Sequence, residues 1–185
     1  MSPSAMRAAI FLGPGAMEVR DAPAPVPGAD DVLLRVLACG ICGSDTRALA
    51  TPPTMHYTPD IVFGHELVGE VVSGAEPGLA AVFPSIPCGS CEQCLDGRGN
   101  LCTRIRHIGA TMDGGLAELC VVPRSSLVPL PADADPLLST LVEPLACVMN
   151  GCRRAGLRAG DRVLVVGGGP IGLLFAAMAR LSGCT

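Results

Sequence analysis

Up to residue 138 the apolar residues fall in short runs broken by glycine and proline; beyond it they recur at helical spacing. Met6–Leu12 and Ala16–Arg20 flank Gly13-Pro14-Gly15 and predict a β-hairpin. The three prolines of Ala22–Gly28 exclude helix and central strand, and predict an extended connector. Asp31–Cys39, almost continuously apolar apart from Arg35, predicts a mostly buried strand. Ser44 or Asp45 is the expected cap of a short helix ending before Thr51-Pro52-Pro53. Ile61–Val72 predicts a turn bearing His65 and Glu66, then a strand from Leu67; Ala81–Phe83 and Leu116–Pro123 predict two more. Residues 1–138 therefore read as a small all-β, barrel-like domain.

Residues 139–185 read differently. Pro136–Gly156 sets Leu138, Leu141, Val142, Leu145 and Val148 along one side of a helix, with Gly156 as its stop. Arg162–Val166 predicts a parallel-sheet strand and Leu173–Ser182 a helix. Between them, Gly167-x-Gly169-Pro170-Ile171-Gly172 has the glycine spacing of a dinucleotide-binding turn, where a pyrophosphate would meet a helix N-terminus. A glycine-rich structural turn is the alternative. The acidic residue expected about 20 residues further on falls past Thr185, so NAD cannot be told from NADP. The fold class is mixed α and β: a barrel-like domain, then the first strand and helix of a truncated Rossmann domain.

Cys88, Cys91, Cys94 and Cys102 stand as C-x₂-C-x₂-C-x₇-C in a loop with almost nothing apolar to bury. Four thiolates on a structural zinc would fold such a loop; disulfides or redox chemistry are the alternatives. Cys42, His65, Glu66 and Glu143 supply thiolate, imidazole and carboxylate, the donor types of an open, catalytic zinc. The same residues are also compatible with an ordinary buried Cys and a hydrogen-bonded core His. Cys39, Cys120, Cys147, Cys152 and Cys184 read as small buried hydrophobes.

Composition narrows the classes. A net charge of −4, with no basic stripe, argues against nucleic acid as a partner. The segment Met1–Arg7 does not open a signal peptide, and no apolar run is long enough to span a membrane, so the expected compartment is the cytoplasm.

Read together, Gly40-Ile41-Cys42-Gly43-Ser44-Asp45, Gly64-His65-Glu66, the four-cysteine loop, Gly114–Glu118, Val142–Ala146 and the glycine turn resemble the zinc-dependent medium-chain dehydrogenases, the alcohol, polyol and threonine dehydrogenase group. The resemblance implies a GroES-like catalytic domain, a catalytic zinc, a structural zinc, and NAD or NADP. It implies that Cys42, His65 and Glu66 ligate the catalytic zinc and that Glu143 joins them or acts through its water. Asp45 would orient His65, and Ser44 would take the alcohol proton. It also implies a small-molecule alcohol substrate, of polyol, sugar or aminocyclitol type, and a homo-oligomer, dimer or tetramer. Arg47 departs from the pattern, which often has His there. The competing reading is a truncated or degenerate zinc-binding module without catalysis; the 185 residues alone are expected to be inactive.

Overall fold

A computed structural model describes residues 5–185; the signal-peptide expectation for the N-terminus falls mainly outside them. The chain divides into two compact units, one ending at Thr140 and the other running Leu141–Thr185.

In the first unit, strands β1 (Ala5–Gly13) and β2 (Ala16–Pro23) form the expected hairpin, and β1 also pairs with β4 (Ile61–Val62). The larger sheet is antiparallel. It runs in the order β10 (Leu127–Pro129), β6 (Leu79–Val82), β5 (Glu66–Ser73), β3 (Asp31–Gly40), β9 (Leu119–Pro123). Side chains alternate across a strand, and β3 buries both faces. Leu34 joins Val32, Leu67, Ile108 and Val122 in one cluster, while Leu33 joins Met6, Ile10, Val62 and Leu119 in another. This is why its sequence is a continuous apolar run rather than an alternating one. The curled, half-barrel sheet is that of a GroES-like domain.

Two expected elements shift at their ends. β5 opens on Glu66 rather than Leu67. β9 opens at Leu119 rather than Leu116, because Gly114–Glu118 crosses between the sheets, trading backbone hydrogen bonds with Arg7, Ala9 and residues 62–64. Helix α1 (Gly43–Leu49) is capped by Cys42, not by Ser44 or Asp45; Asp45 instead reaches back to accept from Cys42 N at 2.9 Å. A two-rung ladder of β7 (Ser85–Ile86) and β8 (Arg106–His107) closes the base of the cysteine loop, which contains the one-turn helix α2 (Glu92–Leu95).

The register of β3 against β5 positions the site. Val36 pairs with Gly69, yet Ala38 pairs with Val68, so Leu37 is an extra residue, a bulge. Beyond it Cys39 faces Leu67 and Gly40 faces Glu66, which brings the end of β3 beside the start of β5.

The expected single helix over Pro136–Gly156 is broken into α3 (Pro136–Ser139) and α4 (Val142–Ala155). Pro144 cannot donate to the carbonyl of Thr140 and its ring would clash there, so no α-helix runs continuously through this point. Gly156 ends α4 in the left-handed region, φ 66°. In the second unit Arg162–Val166 is not a strand. Val163 N donates to Thr185 O at 2.8 Å, but the run joins no sheet among the described residues, and Leu164 and Val166 are exposed. A strand exists only by pairing, so an apolar run alone does not make one. Helix α5 (Pro170–Leu181) starts three residues earlier than expected, since Pro170 suits the first helical position and Gly169 caps it.

Candidate metal centres

The four cysteines converge. Sulfur separations are 3.5 Å for Cys91–Cys94, 3.8 Å for Cys91–Cys102 and 3.9 Å for Cys88–Cys94. A tetrahedron with ligands ~2.3 Å from its centre has edges of about 3.8 Å, whereas disulfide sulfurs lie ~2.05 Å apart. The donor set therefore fits zinc, and all four cysteines are free thiols. The loop is shaped to receive negative charge. Cys102 Sγ accepts from the backbone N–H groups of Cys88 and Arg104, each at 3.3 Å. Arg104 Nη2 donates to Cys88 Sγ at 3.4 Å and to Ser90 Oγ at 2.8 Å. The Ser90 backbone N–H holds the Cys88 thiol down at about 5, while desolvation and then Cys91 push Cys94 up to about 11. One thiolate opposes the next, so four can ionise together only around a cation.

The second centre is assembled from distant segments. One donor atom each from Cys42, His65 and Glu66 lies within 4.8 Å of the others. Cys42 follows the end of β3, His65 sits in the bend before β5, and Glu66 is its first residue. Gly64 makes that bend. Its φ is +99°, and a side chain there would strike Cys39 Sγ and the Leu116 backbone, so only glycine fits. Hydrogen bonding to His65 holds the Cys42 thiol below its ordinary value, against the opposing effect of burial. By contrast burial pushes neighbouring Cys39 up to about 12, with the charge of Asp45 adding to it, and it remains a thiol. Thiolate, imidazole and carboxylate around one point fit zinc with room for a further ligand.

Asp45, 2% exposed, supports this centre. Its Oδ2 takes the Cys42 backbone N–H, and its Oδ1 stands 3.5 Å from His65 Nδ1. Ser44 lies beside it on α1. Tyr57, which sequence reasoning passed over, joins the group: its Oη is 2.9 Å from Ser44 Oγ and 3.1 Å from Asp45 Oδ1. Its only sequence signal was being the sole tyrosine, in a loop without pattern. Glu143 lies in the other unit, in the first turn of α4, with Cys147 Sγ 3.7 Å from its Oε1. Of the cysteines expected to be buried hydrophobes, Cys120, Cys152 and Cys184 are buried and Cys39 is partly so. Cys147 is exposed, because it sits on the open face of α4.

At the glycine turn, a side chain on Gly172 would collide with the Gly167 carbonyl, so helix and turn pack backbone to backbone. Gly169 supplies the cap of α5, and Pro170 and Ile171 begin it. No described helix is long and apolar enough to cross a membrane.

The chain matches the alcohol dehydrogenase GroES-like domain over residues 28–132. It is 39% identical over 168 residues to an L-galactonate-5-dehydrogenase of Escherichia coli (strain K12), covering 86% of this chain and 48% of that protein. It is 34% identical over 183 residues to a sorbitol dehydrogenase of Halalkalibacterium halodurans, covering 94% and 52%. A crystal structure described as that of a zinc-binding dehydrogenase from Sinorhizobium meliloti 1021, bound to NADP, superposes with a TM-score of 0.93 at 41% identity, covering 99% of this chain and 55% of that one. The chain thus spans about half the length of the curated relatives it matches.

Proposed function

The chain belongs to the zinc-dependent medium-chain dehydrogenases, whose cofactors are zinc and NAD(P), and from that premise we propose that the whole protein oxidises a secondary alcohol by hydride transfer to NAD or NADP. The substrate class is a polyol, sugar or aminocyclitol, in keeping with the galactonate and sorbitol specificities in the names of two relatives. The observation that carries this reading is the convergence of Cys42, His65 and Glu66. A zinc held there would supply Lewis acidity to an alcohol oxygen. Asp45 keeps His65 turned by facing its Nδ1, as ligating imidazoles require. Ser44 Oγ accepts the hydrogen bond of the substrate hydroxyl and relays its proton, releasing its own O–H proton toward solvent water as it takes the new one. The backbone N–H groups at the start of α5 hold the cofactor's pyrophosphate. The four-cysteine centre takes no part in the chemistry and folds the loop.

The test is made on the full-length protein. Elemental analysis should find two zinc ions per protomer. A panel of sugar alcohols, aldonates and aminocyclitols should produce NAD(P)H absorbance with at least one member. One zinc or none, or no turnover across the panel with either cofactor, overturns the reading.

A further inference from the structure

Tyr57 has one proton and two oxygens within reach. An ionised carboxylate can only accept a hydrogen bond, whereas a serine hydroxyl can donate or accept. Asp45 is buried and already accepts from Cys42 N, so the Tyr57 proton belongs to Asp45 Oδ1, at 3.1 Å. The 2.9 Å contact between Tyr57 and Ser44 then has only one remaining direction: Ser44 donates and the phenol oxygen accepts. With its hydrogen on Tyr57 rather than on the Cys42 thiol, to which it is also a neighbouring donor, Ser44 leaves both lone pairs of its Oγ to accept.

We infer that Tyr57 is a positioning residue for Ser44, locking its hydroxyl so that Oγ is presented as a hydrogen-bond acceptor to the substrate alcohol. This rests on the role given to Ser44 above and goes beyond it, since Tyr57 need not touch substrate. The phenol is held firmly enough for the task. Its ring meets Phe63 edge-on with centroids 5.7 Å apart, and Phe11 at 6.3 Å. The loop behind it is pinned by Thr58 N to Ala110 O at 2.9 Å and Asp60 N to Phe11 O at 2.7 Å. Burial raises the phenol's pKa, so it keeps its proton.

Tyr57→Phe keeps the ring and removes only the hydroxyl. In the full-length zinc protein it should lower kcat about tenfold, the scale of one hydrogen bond to a charged network. KM and zinc content should stay the same, as should the visible spectrum of a cobalt-substituted sample. In a Ser44→Ala background the same change should cost less than about twofold, because coupled residues are non-additive. An undiminished effect in that background, or loss of zinc in step with activity, overturns the inference. If the wild-type protein oxidises no alcohol, the dehydrogenase reading fails by itself, and a second measurement still judges Tyr57. This chain has one tyrosine and no tryptophan, so its intrinsic fluorescence reports Tyr57 alone. Removing the acceptor by Asp45→Ala should raise that emission; an unchanged emission overturns the hydrogen-bond order.

Discussion

The four-cysteine loop and the Cys42–His65–Glu66 centre fit the same metal and are built in opposite ways. The loop draws every ligand from 15 consecutive residues, Cys88 to Cys102, and hangs from a two-rung ladder. The other centre draws its ligands from the ends of two strands and depends on a sheet already formed around them. A metal that organises its own ligands stabilises a fold. A fold that organises its ligands can leave one coordination position free for chemistry. The difference predicts that damage at one centre reads as stability and at the other as rate.

Cys42→Ser and His65→Ala should sharpen that contrast most. We expect at least about a thousandfold loss of kcat/KM in the full-length protein, an order taken from loss of an electrostatic catalytic group, with the melting temperature within a few degrees of wild type. Unfolding in these variants, by circular dichroism, would erase the distinction. Cys91→Ala should do the reverse, removing one zinc and lowering the melting temperature by ~10 °C or more, because structural zinc binding is folding free energy. Asp45→Asn should leave both metals bound at saturation but weaken zinc at the Cys42 centre by roughly 10–100-fold, the usual cost of losing an imidazole's partner. Competition with a chromophoric chelator measures it. A mild chelator should strip the three-ligand centre first, and zinc or cobalt should restore activity. At the small end, removing the exposed Arg35–Glu70 pair, 3.8 Å apart, should change stability by less than about 1 kcal/mol.

The same contrast explains what could be read from the sequence. A local centre writes itself into spacing, so Cys88, Cys91, Cys94 and Cys102 could be assigned before any fold was known. Cys42 and His65 lie 23 residues apart, and spacing alone left a zinc centre and a pair of ordinary core residues equally open; the family resemblance, not the pattern, decided between them. Tyr57 was invisible because its contacts with Ser44 and Asp45 are tertiary and its loop carries no period. The strand expected at Arg162–Val166 failed for the complementary reason: apolar composition states a preference for burial, while a ladder needs a neighbour. The break at Thr140–Leu141 was legible in Pro144, yet the helical spacing of the flanking leucines masked it.

The bulge at Leu37 has a consequence for how this protein can change. Were Leu37 drawn into the ladder, Gly40 would face His65 instead of Glu66, and a slip of one residue turns every side chain beyond it to the other face. Yet the Leu37 side chain is 43% exposed and a member of none of the three buried clusters. The position matters by standing outside the ladder, whatever occupies it. Substitution there is close to free, whereas pairing of Leu37 in place of the bulge would misalign a metal centre several residues away. For this stretch of β3 the constraint is on register rather than on letters.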